Sequence, residues 1–398
     1  LLIAAESGTV HIANNAENVN LPVICLSPGN AYKLFHPYEW GQVSYIYPDR
    51  VNELISAGLE QELAAATPCS VNEISVERLK LISCCLLHLQ RLHDINVLEK
   101  LMDTVLLTGA TGFLGSHLLR GLLNKTDCNI VILKRSFSNI DRIVEFTDVK
   151  RIKSYDIDCV DLETVFKEND IGTIIHCATN YGRVQNSCCD VLETNLMFPV
   201  KLLDLSVQYG VKNFINTDSY FNKENMAYSY LLNYALSKKS LLLWLKYFSK
   251  RLKIVNMVLE HIFGENDNKE KFVYQMLDKI AFKQIDAIDL TYGHQKRDFI
   301  YVDDVVSAYI KVLEYMNSHS FRYKSFDVGT GNAVSLRDFV TEIKNISQSK
   351  TILNFGALSY REDEIMCSRA DITDLNDLGW KPEYDYASGL EKIIKGVN

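Results

Sequence analysis

From Thr104 onward, short apolar runs alternate with segments whose apolar residues recur at three- and four-residue spacing. Thr104–Thr108 (TVLLT) is an apolar run of the kind a buried parallel strand requires. Leu114, Leu118, Leu119, Leu122 and Leu123 then repeat at helical spacing. Residues 129–133 (NIVIL), 153–155, 173–178 (TIIHCA), 213–217 (NFINT) and Lys253–Leu259 (KIVNMVL) predict further strands, with helical segments between them. This alternation predicts an α/β fold built on a doubly wound parallel sheet.

Before Thr104 the pattern differs. Pro22, Pro28, Pro37, Pro48 and Pro68 all precede it, whereas only Pro199 and Pro382 follow. The early part therefore reads as a separate, loop-rich unit with one apolar-periodic helix over 76–92. Met102 would serve as the natural start of an independent protein. The chain opens on Leu1 instead of Met, as expected of a fragment.

The chain has 398 residues, 47% hydrophobic and 23% charged, which fits an ordinary soluble protein and leaves room for two or three domains. No apolar stretch approaches the ~20 residues of a spanning helix, so no membrane is expected as a partner. A formal charge of -8 repels phosphate backbones and argues against nucleic acid. The 10 cysteines form no C-x-x-C pair and suit buried or idle thiols in a reducing cytosol, so a cytoplasmic location is expected and no metal set is read.

Candidate chemistry begins at residues 108–115, TGATGFLG, between the first strand and the first helix. Gly109 allows a tight turn, Gly112 a close approach of backbone to a diphosphate, and Gly115 close packing of helix on sheet. The amides and positive dipole end of that helix then face the diphosphate. The second strand ends in Lys134-Arg135-Ser136, where an acid would bind the ribose hydroxyls of NAD. Two cations and a hydroxyl suit a 2′-phosphate, so NADPH is expected over NAD. Asp156 and Ile157 follow the third strand and flank the adenine place, although Asp156 also suits a plain turn.

Tyr234-Ala-Leu-Ser-Lys238 puts Tyr234 and Lys238 on one side of a helix. The ammonium is expected to favour the phenolate and to reach the cofactor ribose, leaving Tyr234 to exchange a proton with a sugar oxygen. Thr217, at the end of its strand, is the expected hydroxyl helper.

These residues make the chain from Thr104 onward resemble the extended short-chain dehydrogenase/reductases that act on nucleotide sugars, the NAD-dependent epimerase/dehydratase family. IIHCATNYG (174–182), QKRDFIYVDDVV (295–306), DVGTG (327–331) and LGWKP (378–382) add to the likeness. LKRS (133–136), FINTDSYF (214–221) and LNFGALSYREDEIM (353–366) narrow it to reductases of CDP-4-keto-3,6-dideoxyhexoses from O-antigen pathways. The resemblance implies reduction at carbon 4 of the sugar, with Tyr234 as proton donor. It also implies cofactor contacts from Thr111, Phe113, Leu114, Ala178 and Asn195, and diphosphate contacts from Arg297 and Arg361. Glu364 is the implied ribose acid, while Tyr181, Asp218, Glu260 and His261 are implied in the sugar pocket. Packing roles remain open for Tyr181, Glu260 and His261, as does an Arg297–Asp298 surface pair. A homodimer through the Tyr234 helix is a further implication.

The resemblance divides this region into a cofactor domain, mainly 102–259, and a substrate lobe, mainly 260–295 and 318–398. Thr217-Asp218-Ser219 lacks the glutamate of the dehydratase branch, which disfavours elimination. A 4-epimerase or 4,6-dehydratase with retained NAD, and a dinucleotide sensor, remain the alternatives. Residues 1–95 resemble the C-terminal part of heptosyltransferase-like glycosyltransferases, with Ser7, Gly8 and His11 at the donor-binding helix start. The acceptor lobe is missing, so no active transferase is expected.

Overall fold

The computed structural model describes residues 104–396 apart from 184–186 and 224–230, together with three short strands before them. The chain divides into two units, Leu1–Lys100 and Leu101–Asn398. In the first, β1 (Leu2–Ala5), β2 (Val23–Leu26) and β3 (Val43–Ile46) pair in parallel, in that order. The helix expected over 76–92 and the positions Ser7, Gly8 and His11 lie outside the described residues.

The second unit is built on seven parallel strands. They are β4 (Thr104–Thr108), β5 (Ile130–Lys134), β6 (Ile152–Asp156), β7 (Ile171–His176), β8 (Asn213–Ser219), β9 (Lys253–Leu259) and β14 (Tyr323–Val328). Their order across the sheet is β14-β9-β8-β7-β4-β5-β6. The chain moves outward from β4 through β5 and β6, then returns to start β7 on the other side of β4. The switch point therefore lies between β4 and β7, and such sheets hold ligands outside the carboxyl ends of strands at that point.

Both faces are covered, which explains the near-continuous apolar runs. On one face Val105, Leu107, Ile132, Ile175 and Val255 pack under α1 (Phe113–Lys125) and α7 (Val302–Ser318). On the other, Leu106, Val131, Ile174, Phe214 and Ile254 pack under α2 (Leu162–Glu168), α4 (Phe198–Gln208) and α5 (Leu232–Phe248). The short α3 (Cys188–Leu192) runs through a π-helical turn, Glu193–Met197, into α4.

A further apolar cluster brings α6 (Phe272–Met276), α8 (Leu336–Ser347) and α10 (Tyr386–Gly396) together around Phe263, Phe299 and Phe339. Four short strands serve it: β10 (His261–Phe263) beside β13 (Phe299–Tyr301), and β11 (Ala287–Leu290) beside β16 (Ile352–Phe355). Two-residue β12 (Lys296–Arg297) pairs with β15 (Val334–Ser335). The short α9 (Thr373–Asp377) lies beyond β16. No helix among the described residues is long and apolar enough to cross a membrane, and no group of acidic, His or Cys residues among them could hold a metal.

Candidate active site

The glycine cradle sits at the switch point. Gly109 has φ +72°, and a Cβ on it would lie 2.7 Å from the Ala178 amide nitrogen. That amide and the Cys177 amide each donate to the Thr108 hydroxyl at 3.2 Å, which ties the end of β7 to β4. A Cβ on Gly115 would lie 2.0 Å from the Gly109 carbonyl oxygen, so helix and turn meet there as backbone on backbone. Gly112 caps α1 with no side-chain bond, and beyond the Gly109 carbonyl its outer side is open space. The first-turn amides of α1 are thereby left for an outside anion. These features fit a dinucleotide diphosphate. Thr111 accepts from Arg142 at 3.4 Å through its carbonyl, the Phe113 ring lies 4.7 Å beneath the Lys271 ammonium, and Leu114 is half-buried behind them.

At the strand ends beside the cradle, the Lys134 ammonium is paired with Asp156, the last residue of β6. The Ile157 amide donates to the Lys134 carbonyl at 2.8 Å. The Arg135 guanidinium lies 5.0 Å over the Phe137 ring, and Ser136 is hydrogen-bonded to Asp158. Asn195 is fully buried on the π-helical turn. Its side chain accepts from the Asn180 amide at 2.7 Å and donates to the Asn180 carbonyl at 2.8 Å and the Ser237 hydroxyl at 3.0 Å. It therefore positions the 179–180 loop and α5.

On α5, Tyr234, Ser237, Lys238, Leu241 and Leu245 form the buried side. The Lys238 ammonium donates to the Thr217 carbonyl at 2.7 Å and lies 6.0 Å from the centre of the Tyr234 ring. Burial lowers the Lys238 ammonium from its ordinary pKa, against the pull of Asp218. Burial raises the Tyr234 phenol well above its ordinary value, with the neighbouring Tyr181 and Asp218 adding to the rise and the Ser219 hydroxyl opposing it. Burial therefore acts on the Tyr234 phenol against the expectation that Lys238 favours its phenolate.

Thr217 enters this arrangement through its carbonyl. Its hydroxyl is bonded to the Tyr309 hydroxyl at 2.8 Å and to the Cys177 sulfur at 3.1 Å, under α7. Asp218 accepts from Asn222 at 2.7 Å, the Ser219 amide at 2.8 Å and Asn256 at 2.9 Å, so its carboxylate fastens the turn after β8. Burial pushes that carboxyl up, opposed by Lys238 and these donors.

An aromatic wall runs outward from Tyr234. Tyr181 stacks on it at 5.1 Å and Phe221 meets it edge-on at 6.0 Å. Tyr220 stacks on Phe221 at 4.2 Å and lies 4.4 Å from His261. Behind His261, Glu260 accepts from Lys223 at 2.6 Å and Ser368 at 2.7 Å. Burial pushes the Glu260 carboxyl up, but His261 and Lys223 outweigh it and hold the group below its ordinary value. Arg297 is buried and donates to Glu364 at 2.6 Å, so two implied substrate residues already touch each other. The Glu364 amide donates to the Arg361 carbonyl at 3.3 Å, and Arg361 is exposed. Asp298 has other partners than Arg297. Its carboxylate accepts from the Thr330 amide and hydroxyl, the Gly331 amide and the Ala370 amide at 2.6–3.1 Å, clamping two loops.

The structure thus brings Tyr234, Lys238, Tyr181 and the Thr217 backbone together, and joins Arg297 to Glu364. It places Asn195 and Asp218 in framework bonds and bonds the Thr217 hydroxyl to Tyr309 and Cys177. Sequence reasoning missed Ser219, whose hydroxyl opposes the rise of the Tyr234 phenol, and Lys223 as the cation bridging Glu260 and Asp327.

A glycine cradle at a switch point, with a buried tyrosine and lysine on the helix beside it, defines a dinucleotide-dependent oxidoreductase of the α/β class. The chain belongs to the NAD dependent epimerase/dehydratase family, whose pattern it matches over residues 105–329. It is 36% identical over 305 residues to CDP-abequose synthase of Salmonella typhimurium, an alignment covering 74% of this chain and 98% of that protein. UDP-glucose 4-epimerase of Thermotoga maritima shares the fold with a TM-score of 0.63 at 20% identity, over 73% of this chain and 97% of the epimerase. MoeE5, solved with UDP-glucuronic acid and NAD, shares it with a TM-score of 0.62 at 22% identity, over 74% and 99%.

Proposed function

We propose that this protein reduces a nucleotide-linked 4-keto-deoxyhexose at carbon 4, with NADPH as cofactor and a CDP-4-keto-3,6-dideoxyglucose-like substrate, in the cytoplasm, for surface polysaccharide or O-antigen synthesis. The observation that carries this is the buried Tyr234–Lys238 pair beside the cradle, on a chain similar over most of its length to CDP-abequose synthase. The cofactor, bound along the Gly109–Gly115 turn, would supply the hydride. The protein supplies the rest. Tyr234 holds a proton at the place where a sugar alkoxide develops. Lys238, fixed by the Thr217 carbonyl, sets a positive charge beside it. The Ser219 hydroxyl is the neighbour best placed to align the Tyr234 phenol. Tyr181 and the Tyr220–His261 contact form an apolar wall for a deoxygenated sugar, and Arg297 offers a planar fork to the diphosphate.

The epimerase or dehydratase alternative fits less well, because Ser219 offers no carboxylate to remove a carbon-bound proton. A non-catalytic sensor would not need the buried Tyr234–Lys238 pair. The outer side of α5 leaves Leu243 71% and Trp244 43% exposed, together with Leu236 and Tyr247, and a second copy of the chain is the proposed cover for this face.

The test supplies the purified chain with CDP-4-keto-3,6-dideoxyglucose and NADPH. One cofactor oxidised per sugar reduced supports the reading, and turnover without net oxidation supports epimerisation. Tyr234→Phe should lower kcat by about a hundredfold or more while leaving NADP⁺ binding in place. Unchanged turnover would remove Tyr234 from the reaction.

A further inference from the structure

The ends of β5 and β6 hold an arrangement that residues 134–136 by themselves do not disclose. The Asp158 carboxylate accepts two bonds from one residue: the Ser136 amide donates to one oxygen at 2.8 Å, and the Ser136 hydroxyl donates to the other at 2.6 Å. The Lys134 ammonium beside it is already paired with Asp156. Of the three residues expected to grip a 2′-phosphate, two are therefore occupied by carboxylates, while Arg135 rests on an exposed Phe137 ring.

An amide and a hydroxyl converging on an anion are the donors a phosphate monoester uses. We infer that Asp158 stands in the place of the cofactor 2′-phosphate and sets the discrimination between NADPH and NADH. To bind NADPH, the phosphate displaces Asp158 from Ser136 and then faces its charge, with Arg135 and Lys134 as counterweight. NADH brings ribose hydroxyls instead, which donate, and a carboxylate left in place accepts from them. Asp158 favours the unphosphorylated cofactor and the basic pair favours the phosphorylated one; the preference is their difference. Ser136 holds the Asp158 carboxyl below its ordinary range, so the residue remains an anion wherever the enzyme works.

The inference rests on the nicotinamide-dependent reading above, and the test separates the two. NADP⁺ and NAD⁺ are titrated by calorimetry against the full chain, Asp158→Asn and Arg135→Ala. Asp158→Asn should shift the affinity ratio toward NADP⁺ by about tenfold, and the shift should shrink at high salt because an exposed charge causes it. Arg135→Ala should shift it the opposite way. A wild-type chain that binds dinucleotide, with Asp158→Asn leaving the ratio within about twofold, overturns the role of Asp158 alone. A folded wild-type chain that binds neither dinucleotide overturns both readings.

Discussion

Thr217 and Tyr309 share a 2.8 Å hydrogen bond beneath α7, and the Thr217 hydroxyl is also bonded to the Cys177 sulfur. Two side chains two residues apart on β8 thus have different partners: the Thr217 hydroxyl joins the strand end to α7, and the Ser219 hydroxyl opposes the rise of the Tyr234 phenol. Thr217→Val should leave the buried Tyr309 hydroxyl without this partner and cost about 1–3 kcal/mol in urea unfolding, with Thr217→Val/Tyr309→Phe recovering part of the loss. Ser219→Ala should spare stability and lower kcat by about tenfold. The reverse pattern would return the hydroxyl role to Thr217.

Gly109 makes a second case. Its positive φ costs an L side chain about 1–2 kcal/mol before any contact is counted. The 2.7 Å approach to the Ala178 amide leaves no room for a methyl group either. Gly109→Ala should lower Tm and weaken NADP⁺ binding by about tenfold or more, because β7 must withdraw from the turn. Calorimetric melting and titration of one preparation read both effects.

His176 predicts an acid limb of stability. It is fully buried, bonded to the Thr108 hydroxyl at 2.8 Å, and desolvation pushes its pKa to about 3, with the charge of Lys238 adding to the effect. An unfolded chain takes up this proton near pH ~6.5, whereas the folded chain refuses it until about 3. The unfolded state therefore binds more protons across that window, and stability falls as pH drops through it. Urea midpoints at about pH 7 and about pH 5 should differ less in His176→Gln than in the wild type.

The exposed side of α5 gives a prediction about assembly. Leu243→Glu with Trp244→Glu should turn a dimer into a monomer in sedimentation equilibrium, with the far-UV spectrum unchanged. A wild-type chain that sediments as a monomer at micromolar concentration would refute the proposed cover.

The sheet was readable where both faces are covered. Thr104–Thr108 and Lys253–Leu259 fall where the apolar runs place them, because burial on two sides demands such runs. β14 was not read, since its Tyr-Lys-Ser-Phe-Asp-Val stretch lies at the sheet edge with two exposed positions. β8 runs two residues beyond the expected Thr217, because Asp218 and Ser219 stay in the strand by pairing with Val258 and Leu259 of β9. The same limit governs the site. Spacing puts Tyr234 and Lys238 on one face, but nothing near Lys134 or Ser136 announces Asp156 and Asp158, 22 residues away. Side-chain partners set by tertiary packing also decide whether a conspicuous hydroxyl, such as that of Thr217, faces a ligand or a helix.

The neighbours Arg297 and Asp298 make one last point about how damage here would be read. One carboxylate gathers four donors from two distant loops, while the adjoining guanidinium donates to Glu364. A lesion at that acid would slacken the framework that holds Arg297. If Arg297 meets the diphosphate as proposed, its signature would be a higher KM for the sugar nucleotide, and a survey of affinity alone would mistake a hinge pin for a hand.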